Sequence, residues 1–163
     1  MPGSTVAQLA GLPDVAPTIL TLAGAAESAI AALDGKSLVP LFPSLAQRDG
    51  AAGGAAGWRQ AYLIEYIATQ ENAKSQPGGH VIDNGNNTFR GLRLISQGQN
   101  LAYFEFTDLP DWNWTAVDFH ELFDLTLDPY QLRNIYNESE PGLRQQLALQ
   151  LRQAYACSGM SCV

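Results

Sequence analysis

The clearest periodicity in the chain lies near its C-terminal end. Between Glu140 and Tyr155, Leu143, Leu147, Leu151 and Tyr155 recur every four residues with Ala148 and Ala154 beside them, while Arg144 and Arg152 fall off that stripe. Such recurrence keeps side chains on one helical face, so the segment reads as an amphipathic helix with its leucines turned to a core and its arginines pointing elsewhere. Ser139 is placed to cap the start, and Pro141 falls in the first turn, where a missing N–H is tolerated. Upstream, the pattern is that of strands. Ala61–Ile67 is rich in Tyr, Leu and Ile; Thr88–Ile95 sets Phe89, Leu92 and Leu94 among Arg90 and Arg93; Leu101–Phe106 is dense in aromatics; and His120–Asp124 makes a fourth run. The short polar Gln97–Asn100 stretch with its glycine predicts a hairpin between the second and third of these.

At the front, Val15, Ile19, Leu20 and Leu22 with Ala16 and Ala23 fit a short helix opened near Asp14 and stopped by Gly24. Its apolar face needs something to cover it. Ala25–Ala32 can extend or repeat the helix, and Gln47–Gly57 is a Gly/Ala run with no periodicity, read as a linker. The expected fold class is α+β, a four-stranded antiparallel sheet packed by the C-terminal helix.

The 163 residues fit one domain, large enough for a core without metals or several disulfides. No segment approaches the ~20 apolar residues of a membrane helix, and Met1-Pro2-Gly3-Ser4 begins nothing like a signal peptide. With 9 basic against 16 acidic residues the net charge is −7, which argues against nucleic acid and against bulk attraction of anionic polymers. An anionic ligand would need a local pocket. Asn86-Asn87-Thr88, Asn113-Trp114-Thr115 and Asn137-Glu138-Ser139 are glycosylation acceptors by pattern, more than composition alone would supply. Cys157 and Cys162, in an oxidising compartment, would close a small ring whose chain-entropy contribution is roughly 2 kcal/mol. Two cysteines without nearby histidines do not complete a zinc site. These features predict the secretory pathway, extracellular or lysosomal, and a secreted chain without its signal points to a missing front end.

One ordered string carries more than the rest: Glu121–Ile135, ELFDLTLDPYQLRNI. Asp128-Pro129 is a turn dipeptide, and Asp124 and Asp128 read as turn and capping residues that accept from nearby backbone N–H groups. The string also resembles the "ELYDL..DP.E..N" segment near the C-terminus of the sulfatase family. Asp14–Leu20 with Ala23-Gly24 looks like the family's "D.APTIL.LAG" helix, Asp34–Leu38 with Pro40-Leu41 like its "DG.SL.PLL" loop, and Trp58-Arg59 with Leu63–Tyr66 like its "WR...L.EY" strand. Asn86–Phe89 with Arg93, and the terminal Cys157–Cys162 segment, are similar to the N-acetylglucosamine-6-sulfatase branch. The resemblance implies that residues 1–46 are a remnant of the family's large alkaline-phosphatase-like α/β domain, 47–57 a linker, and 58–163 the smaller C-terminal subdomain.

Family sulfatases carry a C-x-P-S-R cysteine matured to formylglycine, whose hydrate attacks the sulfate ester, and a calcium ion held by Asp and Asn side chains. The 163 residues contain no C-x-P-S-R, since Cys157 is followed by Ser158-Gly159 and Cys162 by Val163. Asp83-Asn84-Gly85 looks like the calcium tripeptide but follows the Asp14–Leu20 helix, which the family's metal motif precedes. It reads as a surface turn. Calcium and formylglycine are therefore expected in an N-terminal portion outside this chain.

Candidate substrate-binding residues are few. His80 lies in the Gly-rich Gln76–His80 loop and reads first as an exposed loop histidine, with a hydrogen bond to a sulfate or sugar hydroxyl as its functional alternative. Arg93 matches the family pattern. Arg90, three positions away, must face the opposite side of the sheet, and an ion pair with Glu65 or Glu105 competes with ligand contact. His120 reads as a core-edge residue, and Trp112 and Trp114 as surface loop packing. The expected function is the C-terminal portion of a sulfatase acting on N-acetylglucosamine-6-sulfate or a related sulfated sugar, inactive alone. The alternatives are a glycan- or protein-binding module without the chemistry, and a small hydrolase using His80 or His120, disfavoured because no serine or cysteine stands in a G-x-S-x-G context.

Overall fold

In this computed structural model four strands form one sheet in chain order: β1 (Ala61–Tyr66), β2 (Thr88–Ser96), β3 (Gln99–Thr107) and β4 (Phe119–Asp124). Helices α1 (Val15–Leu22), α2 (Glu27–Ala31) and α3 (Pro141–Tyr155) accompany them. The structure describes residues 5–42, 57–68, 87–96, 98–108 and 114–159. The chain divides into two compact units, Met1–Tyr62 with Gln153–Val163, and Leu63–Arg152. The predicted linker falls almost entirely outside the described residues.

In the second unit, β2 and β3 pair antiparallel in a register that sets Ser96 against Gln99. The hairpin is therefore tighter than the predicted Gln97–Asn100 loop, because Gln99 and Asn100 join β3. Gly98 stands at φ 81°, a left-handed backbone that costs a glycine little and other residues more. β4 pairs antiparallel with β3, with Tyr103 opposite Leu122 and Glu105 opposite His120. Side chains alternate across a strand, so Arg90, Leu92 and Leu94 share one face with Glu105, Tyr103, His120 and Leu122. The opposite face carries an aromatic row in which Phe89 lies 5.7 Å from Tyr66 and 5.6 Å from Phe106. There Gly91 opposes Phe104, and a Cβ at Gly91 would come within 2.2 Å of that ring. Glycine lets the ring lie across the strand.

The leucine stripe of α3 behaves as its spacing requires, with Leu147 and Leu151 fully buried. Ser139 does not act as the predicted cap. Its hydroxyl donates to the Tyr136 carbonyl at 2.7 Å, closing the 3-10 turn Tyr136–Glu138. The helix begins at Pro141, so Glu140 and not Ser139 holds the N-cap position.

The first unit is organised by Asp14. It stands at the N-cap position of α1 but makes no side-chain cap bond there. Instead its fully buried carboxylate accepts from the Gly11 N–H at 2.9 Å, the Lys36 N–H at 2.8 Å, and Arg59 at 2.7 and 3.2 Å. Thr18 extends the pattern, donating to the Asp14 carbonyl at 2.6 Å and accepting the Leu38 N–H at 2.8 Å. The Asp34–Leu38 loop is thereby held against α1. Gly35 is needed at that approach, since a Cβ there would lie 2.0 Å from the Pro13 carbonyl oxygen. Trp58 donates its indole N–H to the Leu9 carbonyl at 2.7 Å, and the Gly159 N–H donates to Asp34 at 2.6 Å. On the apolar side of α1, Ile19 and Leu22 are each 59% exposed among the described residues.

Removing one partner of a buried ion pair leaves the other charged and unsolvated, at a cost of about 3–5 kcal/mol. Asp14→Ala is therefore expected to lower the unfolding free energy from urea titration by an amount in that range, with a matching fall in midpoint, whereas an exposed control, Glu138→Ala, leaves both nearly unchanged. A midpoint that does not move would show that Arg59 reaches water.

Candidate functional site

A cavity of about 430 Å³ opens in the second unit, where the Arg90 face of the sheet meets α3. Strand parity supplies its floor. Arg90 from β2, Tyr103 and Glu105 from β3, and His120 from β4 are brought side by side by the registers above. The Glu105 carboxylate is fully occupied: Arg90 donates to one oxygen from Nε at 2.9 Å and from Nη2 at 2.6 Å, and the Tyr103 hydroxyl donates to the other at 2.8 Å. Burial, and then the Glu105 charge, push the Tyr103 phenol well above its ordinary range, so it stays a donor.

Aromatic rings form the walls. His120 stacks on Tyr136 with centroids 4.5 Å apart and planes 8° from parallel, and Tyr103 lies 6.2 Å from Tyr136. The Arg90 guanidinium sits 4.4 Å from the Trp114 ring, and Arg144 lies 5.2 Å from Tyr136. Trp114 is buried rather than surface-packed as the sequence had led us to expect, and it adopts φ 51°. The helical side of the cavity comes from Arg144, Ala148 and Arg152, which follow one another by single turns on α3.

Asn134 ties the Tyr136 turn to β4. Its side-chain oxygen accepts from the Leu122 N–H at 3.1 Å and the Tyr136 N–H at 3.0 Å, and its amide donates to the His120 carbonyl at 2.9 Å. The same string bears out the reading of its aspartates: Asp124 accepts from the Thr126 N–H at 2.9 Å and Asp128 from the Arg133 N–H at 2.8 Å. Backbone N–H groups, led by that of Arg133, hold Asp128 below the usual carboxylate range.

No family model matches the chain. Among curated proteins it is 29% identical over 174 residues to N-acetylglucosamine-6-sulfatase of Bos taurus, covering 99% of this chain and 28% of that protein. The Homo sapiens N-acetylglucosamine-6-sulfatase gives 29% identity over 99% of the chain and 29% of that protein. An arylsulfatase of Chlamydomonas reinhardtii is 29% identical over 164 residues, 91% of this chain and 22% of that protein. Two solved structures share the fold. One is a protein in complex with its substrate D-glucosamine-2-N,6-O-disulfate, with a TM-score of 0.52 and 23% identity over 86% of this chain and 22% of that one. The other, from a Bacteroides thetaiotaomicron locus for the metabolism of multiple glycosaminoglycans, has a TM-score of 0.57 and 21% identity over 90% of this chain and 27% of that one. Along nearly its whole length the chain is similar to proteins named as sulfatases. It spans about a quarter of the length of the curated sulfatases it matches.

Several residues of the motifs that carry this similarity make structural contacts. Asp14 of the "D.APTIL" segment and Arg59 of the "WR" segment meet in one buried ion pair. Arg93, the candidate taken from the family pattern, donates to the carbonyls of Leu94 and Leu101 at 2.9 and 3.0 Å and to the Asn100 side chain. It lies on the opposite strand face from Arg90 and does not line the cavity. The Glu105 pair expected for one of these arginines belongs to Arg90. His80, Asp83-Asn84, Asn86, Trp112, Asn113 and Cys162 lie outside the described residues. Asn137 is exposed in the Tyr136–Glu138 turn, and no described cysteine is free. Among the described residues no group of three or more His, Cys, Asp or Glu side chains converges as metal ligands, and the buried Asp14 carboxylate is spent on Arg59 and two amides. What sequence reasoning missed is that Arg144 and Arg152, set aside as pointing away, line the cavity together with Trp114 and His120.

Burial holds His120 below the ordinary histidine value; Arg144 adds to this, and Glu105 opposes it. The unfolded chain therefore takes the proton more readily. The stability contributed by neutral His120 is whole above the ordinary histidine value and is lost as pH falls through the lowered one. Urea midpoints measured from about pH 7 to 5 should fall more steeply for the native chain than for His120→Gln. Equal slopes would contradict the assignment.

Proposed function

We propose that this chain is the C-terminal portion of a sulfuric ester hydrolase acting on N-acetylglucosamine-6-sulfate or a related sulfated sugar of the glycosaminoglycan class, and that the chain alone hydrolyses nothing. The observation that carries the reading is the 29% identity to N-acetylglucosamine-6-sulfatases along 99% of the chain. The shared fold with a protein holding a glucosamine disulfate supports it. The nucleophile is assigned to another part of the protein, since the 163 residues contain no C-x-P-S-R. Formylglycine and calcium are placed there with it. Within that enzyme the sheet and α3 act as a scaffold, and a bound sulfated sugar meets the reacting groups only beside the catalytic portion. His80 and Arg93 remain its candidate substrate contacts. Glycans on Asn86, Asn113 and Asn137 and a Cys157–Cys162 disulfide complete the proposal of a secretory, extracellular or lysosomal protein.

The isolated chain, incubated with N-acetylglucosamine-6-sulfate and with an aryl sulfate, is expected to release no sulfate above the blank by ion chromatography. Turnover would overturn the claim of inactivity. A longer protein joining this chain to an upstream C-x-P-S-R portion is expected to release sulfate from N-acetylglucosamine-6-sulfate; if it cleaves the aryl ester and spares the sugar, the substrate assignment fails.

A further inference from the structure

We infer that the cavity between the Arg90 face of the sheet and α3 is an oxyanion-binding subsite, taking a sulfate or carboxylate group carried on a sugar unit between Arg144 and Arg152. Three arginines line the cavity against one carboxylate. That carboxylate, Glu105, is already matched by Arg90 and by the Tyr103 hydroxyl. Two cations are left over: among the described residues no carboxylate forms an ion pair with Arg144 or Arg152. A chain of net charge −7 thus gathers at one concave place two arginines that no described carboxylate pairs.

The helix sets the spacing. Residues 144, 148 and 152 stand on one face, so the two arginines are about 12 Å apart along the axis, with the small Ala148 side chain leaving the room between them. Long arginine side chains can swing toward a ligand from both ends of that gap, and guanidinium forks suit oxyanion geometry. The walls raise the value of such contacts, because Trp114 is buried and the stacked Tyr103, Tyr136 and His120 rings displace water from one side. A volume of about 430 Å³ lies within the ~300–1,000 Å³ range of small-molecule sites and exceeds the needs of a bare anion. The exposed Gln145 amide at the rim is free to meet the hydroxyls of an attached sugar. The choice of a sulfated sugar as ligand rests on the proposed function, whereas binding of the oxyanion itself rests on the cavity and its two arginines.

Binding to the whole 163-residue chain tests it, and the result does not depend on turnover. Calorimetry with N-acetylglucosamine-6-sulfate, combined with NMR of the arginine side-chain N–H groups, should show saturable binding that shifts the Arg144 and Arg152 signals. Uncharged N-acetylglucosamine should bind at least ~10-fold more weakly, as the loss of charge-assisted hydrogen bonds requires. Arg144→Gln with Arg152→Gln should weaken the sulfated sugar by a similar factor, and lysine at both positions should recover part of it, with circular dichroism and urea midpoint confirming that each variant is folded. Displacement by inorganic sulfate at comparable concentration would support the oxyanion site and identify the free anion as a sufficient ligand. Absence of saturable binding, equal affinity for the uncharged sugar, or undiminished binding in a folded double variant would each overturn the proposal.

Discussion

A carboxylate removed from water must be given back every hydrogen bond it loses, and both units of this chain are built round that requirement. In the first, Asp14 is fully buried and gathers two backbone amides and an arginine from three separate stretches of sequence. In the second, Glu105 is 3% exposed and gathers Arg90 and Tyr103 across the sheet. Burying an ion pair contributes little net stability compared with an apolar core of the same shape. What it enforces is geometry: the loop at Lys36 and the strand entry at Arg59 have one arrangement in which Asp14 is satisfied, and any other leaves a bare charge inside.

The cavity follows from the second of these pairs and from two periodicities. With a period of two, β2 sends Arg90 and Arg93 to opposite faces, so only Arg90 meets Glu105 and Trp114. With a period near four, α3 sets a stripe of leucines beside a stripe of Arg144, Ala148 and Arg152. The leucines bury completely at Leu147 and Leu151, and the neighbouring stripe borders the gap they leave. Asn134 then fastens the Tyr136 turn to β4, which puts the Tyr136 ring on His120. Positive charge is concentrated here in spite of the acidic chain because each arginine is fixed by a packing rule that ignores the overall balance.

The architecture was legible in the sequence where a local rule was strong. All four strands and the last helix match their expected positions to within a residue or two, since alternation and the leucine repeat are short-range signals. The hairpin was read too long because Gln99 and Asn100, polar and turn-like alone, are drawn into β3 by their pairing with Ser96 and Ile95. Ser139 was misread as a cap because the helix begins at Pro141, which puts Glu140 at the N-cap position and leaves Ser139 to the preceding turn. Trp114 looked like a surface residue in a polar loop, and its burial beside Arg90 depends on a residue 24 positions earlier.

By itself the sequence determined the α+β class, the strand and helix positions, the kinship with sulfatases, and the absence of C-x-P-S-R from these 163 residues. It also determined that Arg90 and Arg93 must part company, because side-chain alternation is a property of any extended chain. Only the tertiary structure decided which arginine met Glu105, which polar groups served Asp14, and that Arg144, Arg152, Trp114 and His120 share one cavity. Those outcomes are set by register and by helix placement. They are long-range choices made by the whole core at once, and no local window of residues contains them.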